Sequence, residues 1–219
     1  MKSHFIRQME ELRMTVLEMA ALTEKAMHKA LQAFKTRDEE LAAQVIAEDH
    51  VVNQLEMKID HLCLSLLALE QPVAKDLRFI IGALRMSIDL ERIADQAVNI
   101  AQRAQFLAQR PPLEFIPELD ALAETAMDML RVAIDSFARQ NITQAYDVCQ
   151  MDDEADELND KVLRRMIDLM VTESRSIERA VQAIITARCL ERVADQTTNI
   201  AESVIFIVQG VNIKHRCEP

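Results

Sequence analysis

A stretch of thirteen residues returns one hundred positions later. Leu90-Glu-Arg-Ile-Ala-Asp-Gln-Ala-Val-Asn-Ile-Ala-Gln102 recurs as Leu190-Glu-Arg-Val-Ala-Asp-Gln-Thr-Thr-Asn-Ile-Ala-Glu202, with nine of thirteen positions identical. Upstream, Asp49, Asn53, Leu55 and Ile59 fall opposite Asp152, Asp156, Leu158 and Val162 at a spacing of 103, so the register slips by three residues near Pro72, where a loop is expected. A self-similar period of this length is one supersecondary unit used twice. The chain is therefore expected to divide into two units, residues 1–110 and 111–219.

The unit must be helical. Across 219 residues there are only two glycines, Gly82 and Gly210, and five prolines, too little punctuation for a hairpin-rich chain. Pro111, Pro112 and Pro117 crowd into one stretch at mid-chain, where helix cannot run through. Pro72 marks a second break, and Asn141 reads as an N-cap after Gln140. The breaks predict six long helices near 5–36, 38–70, 73–109, 116–139, 142–171 and 175–209. Short connections make neighbours antiparallel. The fold class expected is all-α, two tandem pseudo-symmetric three-helix bundles.

Charge narrows the partners. The formal net charge is −11, with 16 acids against 14 bases in residues 1–110 and 20 against 11 in residues 111–219, which disfavours nucleic acid. The N-terminus lacks an apolar leader and no apolar run is long enough to span a bilayer, so a cytoplasmic protein is expected, meeting the membrane only through partners. The four cysteines, Cys63, Cys149, Cys189 and Cys217, form no CxxC pair, and a reduced thiol set is expected.

Two acidic stripes carry the chemistry. At about 100° per residue, Glu91, Asp95 and Asn99 share an arc of about 80° on one helix face, flanking the apolar arc of Ile93, Ala94, Ala97 and Ile100. Asp49, Asn53, Glu56 and Asp60 share an arc of about 60° on the preceding helix. Antiparallel pairing of these helices brings two oxygen-rich stripes together. In the second unit the same construction uses Asp152, Asp156 and Asn159 with Glu191, Asp195 and Asn199, beside an adjoining stripe of Asp153, Glu157 and Asp160.

Carboxylates held together repel, and the relief is a proton or a cation with hard oxygen ligands. The bland alternative is that Glu91 and Glu191 pair with arginines such as Arg92, Arg103 or Arg192. Carboxylate-rich sites suit Mg, Mn or Ca and accept Fe, whereas structural zinc favours Cys and His. No Glu-x-x-His occurs, so the ligand set of di-iron catalysts is missing. His50 and His61 lie off the stripe and read as surface residues. There is no Gly-rich phosphate loop and no nucleophile motif.

The repeated segment, together with Gln71-Pro-Val-Ala-Lys-Asp-Leu-Arg78 at the head of the third helix, resembles the PhoU family, whose signature Pro-Val-Ala-x-Asp-Leu-Arg it follows. The resemblance covers nearly the whole chain. It implies a negative regulator, not an enzyme, acting as a cytoplasmic adapter between the ATPase subunit of a phosphate ABC transporter and the sensor histidine kinase of the phosphate-starvation response, and forming a homodimer. It also implies metal binding through paired Glu/Asp-x-x-x-Asp motifs. Carried over by position, these fall on Asp49, Asn53, Glu91 and Asp95 in the first unit and on Asp152, Asp156, Glu191 and Asp195 in the second, for Fe, Mg, Mn or Zn. Asn53 departs from the pattern, an amide standing for an acid. Thr172-Glu-Ser-Arg-Ser-Ile-Glu178 replaces the Pro-Val-Ala signature in the second unit, so partner contacts through that loop are expected from the first unit alone. The rival from the residues is a helical metal store or metal-dependent catalyst. Asp76, near a helix start, reads as a dipole-complementing acid.

Overall fold

The computed structural model describes the chain from residue 2 to residue 211, and its side chains from residue 4. Six long helices follow one another: α1 Lys2–Thr36, α2 Glu39–Glu70, α3 Ala74–Ala108, α4 Pro117–Arg139, α5 Ile142–Thr172 and α6 Ile177–Gln209. Their breaks fall where the sequence places them. Asp38 caps α2 by accepting from the Leu41 amide at 2.9 Å, and Gln71, left-handed at φ 47°, ends it before Pro72. Asn141 caps α5 by accepting from the amides of Thr143 and Gln144. Pro117 opens α4, where its missing amide hydrogen is no loss. Gly210, at φ +77°, closes α6 in the conformation that glycine adopts without strain.

The sixth helix starts later than the sequence predicts. Residues Ser174–Ser176 form a 3-10 turn, with the Ser176 hydroxyl donating to the Glu173 carbonyl at 2.7 Å, and α6 begins only at Ile177. Side-chain bonding to a nearby carbonyl tightens the turn and delays the α-helical register.

In each half all three helices pack on one another, and the halves meet along α3 with α6 and α1 with α4. Both inter-half pairs are antiparallel: Gly82 faces Ile207 while Arg110 pairs with Glu178, and Lys35 pairs with Asp120 while Arg13 donates to the Ala138 carbonyl. A Cβ at position 82 would lie 2.4 Å from Ile207 Cγ1, so this glycine lets α3 and α6 approach. Phe79 of α3 stacks on Phe137 of α4 with ring centroids 5.9 Å apart. One continuous core results, running from Leu12, Ile59 and Ile93 to Leu130, Val162 and Ile205. Across residues 91–100 and 191–200 the burial of each aligned position is the same. The repeat is thus a repeat of environment as well as of sequence.

The linker between the halves is tied down by arginines. Arg37 donates to the carbonyls of Leu107, Ala108 and Arg110, and Arg179 donates to that of Pro112 at 2.9 Å. Cys63 and Cys189 are free and buried. Cys217 lies outside the described residues. Among the described residues no helix is long and apolar enough to cross a membrane.

Candidate functional site

Antiparallel α2 and α3, joined by a loop of three residues, set the first pair of stripes side by side at the rim of their bundle. Burial raises the pKa of Glu91, and the charges of Asp95, Glu56 and Asp49 raise it further, against a lowering contribution from Arg92. Asp95 is likewise raised by burial and by Asp49 across the helix pair. Glu56 is raised by burial and then by Asp60 and Asp95. These side chains feel one another, so α2 and α3 do bring the stripes together.

The second half repeats the arrangement. The Asp152 carboxyl is pushed up to about 6 by burial and by Asp195 and Asp156, while a hydrogen bond with Thr198 tempers the rise. Glu191 is raised by burial, then by Asp195 and Asp156, with Arg192 and Arg188 opposing. Asp195 is raised by burial and by Asp156. Position 98 in the first half is Val, so the Thr198 contact has no counterpart there. Nothing in the repeat pattern singled out Thr198.

All eight sequence-predicted residues therefore lie on the two faces expected. Asp49, Asn53, Glu91 and Asp95 line one, and Asp152, Asp156, Glu191 and Asp195 line the other. Among the described residues none of the seven carboxylates forms an ion pair within 4.0 Å; Arg92 instead reaches Asp89, at 4.0 Å. The arginine-pairing alternative is not what the structure adopts. His50 turns its Nδ1 to the Ala47 carbonyl of its own helix at 2.8 Å, away from the stripe.

Asn53 is the irregular member. Its Nδ2 donates to Asp49 Oδ2 at 3.0 Å, one turn earlier, and its Oδ1 is buried with no hydrogen-bond partner. A carbonyl oxygen without a donor, set among carboxylates, is the chemistry that a hard cation satisfies. Among the described residues no three Asp, Glu, His or Cys side chains close on one point as a finished metal cage. The donor set suits a partly hydrated cation such as Mg or Mn, which takes one or two carboxylates and keeps its waters. Zinc, with its preference for Cys and His, fits poorly.

The larger cavity lies elsewhere. A groove of about 750 Å³ opens between the end of α1, the start of α4 and the linker, lined by Leu31, Phe34, Leu113, Phe115 and Met127. A smaller one, about 250 Å³, abuts Asp49 and Val98.

Comparison with known proteins agrees with the repeat. The PhoU domain matches twice, over residues 16–104 and 119–204. The chain is 38% identical over 213 residues to a phosphate-specific transport system accessory protein PhoU homolog of Pseudomonas putida, covering 96% of this chain and 83% of that one. It is 36% identical to the PhoU homolog of Aquifex aeolicus, covering 96% of this chain and 95% of that protein. The crystal structure of PhoU from Pseudomonas aeruginosa superposes with a TM-score of 0.90 at 37% identity, covering 94% of this chain and all of that one. The phosphate transport system regulatory protein PhoU from Streptococcus pneumoniae superposes at 0.88 with 29% identity, covering 95% of this chain and 98% of that one.

Proposed function

The chain belongs to the PhoU family, and from that premise we propose that it is a cytoplasmic negative regulator of phosphate uptake and of the phosphate-starvation response, working by stoichiometric contact rather than by turnover. The family's part in regulating phosphate homeostasis is the coarse function. The finer reading is an adapter that touches the ATPase subunit of a phosphate ABC transporter and a sensor histidine kinase, itself as a homodimer. The observation that carries the coarse function is the double match of the domain, over residues 16–104 and 119–204.

Surface composition supports contact as the mode of action. Leu64 and Ile167 occupy aligned positions of α2 and α5, and are 65% and 45% exposed; Leu77 and Ile177 are aligned on α3 and α6, at 40% and 45%. Exposed apolar side chains repeated at one place in both halves suit a partner surface better than a solvent surface. Each pair lies beyond the carboxylate stripes, toward the loop of its hairpin.

A divalent cation bound by Asp49, Asn53, Glu91 and Asp95, or by Asp152, Asp156, Glu191 and Asp195, would supply positive charge between mutually repelling carboxylates. It would thereby brace each helix pair. Deleting the gene tests the regulatory reading: phosphate-starvation genes should then be expressed in rich phosphate. Continued silence of those genes would contradict it.

A further inference from the structure

We infer that the groove between the end of α1 and the start of α4 receives an amphipathic helix of a partner protein, apolar along one face and flanked by lysines or arginines. The inference rests on the contact reading above and names the kind of segment a partner would bring to it. His28, Leu31, Gln32 and Lys35 line the α1 wall, and Asp120, Ala123, Glu124 and Met127 line the α4 wall. Both sets run i, i+3, i+4 and i+7, so each is a stripe about 100° wide and about 10 Å long. The two helices are antiparallel and stand far enough apart here to leave about 750 Å³ unfilled. The result is a trough about two helical turns long. Phe34 and the linker residues Leu113 and Phe115 add apolar surface to it, and Phe115 is 66% exposed.

The polar groups that could orient a small ligand in the groove are already engaged. The Thr186 hydroxyl donates to the Gln182 carbonyl at 3.0 Å, and Arg37 donates to the carbonyls of Leu107, Ala108 and Arg110. A helix asks for no such group, because its backbone is satisfied within itself and its apolar stripe supplies the anchors. Charge then selects the flanks of that helix. Glu114, Asp120, Glu124 and Asp128 surround the groove, against Lys35, Arg37 and, when protonated, His28. Lys35 is paired with Asp120 at 2.7 Å and Asp128 with Arg131 at 2.8 Å. Among the described residues neither Glu114 nor Glu124 forms an ion pair within 4.0 Å, and both are exposed. The charge of Glu124 reaches Lys35 on the opposite wall, so this acid stands over the trough rather than beyond it. An apolar floor under an acidic rim complements a helix with basic flanks.

Fluorescence anisotropy tests this with the full-length chain and three synthetic peptides of about fourteen residues, long enough to overhang the trough at both ends. One carries leucines at i, i+3, i+4 and i+7 with lysine flanks, one the same leucines with glutamate flanks, and one the lysine composition with its leucines scrambled. The first should bind with one peptide per chain, and the other two at least about tenfold more weakly. Phe115→Ala and Glu124→Lys, both at exposed positions, should each weaken the first peptide about tenfold. Glu154→Lys makes the same change of net charge at an exposed position of α5, which does not line the groove, and should leave the affinity unchanged. Equal binding of the three peptides, no binding of the first, or wild-type affinity in Phe115→Ala and Glu124→Lys overturns the inference. None of these outcomes touches the deletion phenotype, on which the contact reading stands or falls. A wild-type dimer that both variants dissociate in sedimentation would assign the groove to a second copy of this chain, and overturns the inference as well.

Discussion

Asn53 donates a hydrogen bond to Asp49 at 3.0 Å and leaves its own carbonyl oxygen buried and unpartnered, so one turn of α2 is both stitched to an acid and short of a donor. That relationship predicts the effect of restoring the acid. Asn53→Asp removes the Nδ2 donor and adds a like charge, and in chelator at pH 7 it should lower the melting temperature by a few degrees. Added Mn²⁺ should recover more stability in the variant than in the wild type. Thermal melts with and without the ion read this, and an unchanged melt in chelator would contradict the repulsion inferred among these acids.

The second half predicts a pH dependence. Asp152 has its pKa raised from 3.8 to about 6. A raised carboxyl favours the protonated form in the fold, so its contribution is fully present below about pH 4 and is lost as pH rises through about 6. Metal-free protein should therefore gain stability at this position on acidification from pH 7 to pH 5. Asp152→Asn should flatten that part of the melting-temperature curve. Parallel curves for wild type and variant would contradict the assignment.

The close approach of α3 to α6 predicts a steric penalty. Gly82→Ala puts a methyl group 2.4 Å from Ile207 Cγ1 and forces one of them to move. Overpacking of this kind costs about 1–3 kcal/mol. Ile207→Ala in the same chain should recover part of the loss, by removing the γ carbon that the methyl group meets. Urea unfolding with unchanged m-value measures it, and a neutral Gly82→Ala would mean that the helices are not held at this distance.

Most of the fold was legible in the sequence, because a repeat of thirteen residues at a spacing of one hundred leaves few alternatives once glycine and proline are scarce. Asn141, Pro72 and Pro117 each end or start a helix for a local reason that single residues reveal. The start of α6 was not legible, since the 3-10 turn at Ser174–Ser176 depends on a serine hydroxyl finding a particular carbonyl. The eight stripe residues were found by helical arithmetic and one family pattern. Thr198 depends on a contact between separate helices, which periodicity does not encode.

Repeated exposed leucine and isoleucine positions predict a separation of stability from function. Leu64→Glu and Ile167→Glu replace exposed side chains, so each should shift the melting temperature little. Each should nevertheless derepress phosphate-starvation genes in rich phosphate, as a lost contact would. Retained repression in both variants would remove these positions from the partner surface.

A reporter of the phosphate response titrated against protein level in a deletion strain tests the proposed regulation by stoichiometric contact most directly. An adapter is consumed by its partners one for one, so repression should rise in proportion to protein and level off near the abundance of the transporter ATPase and the kinase. Full repression by a few molecules per cell would indicate turnover instead, and would contradict the account.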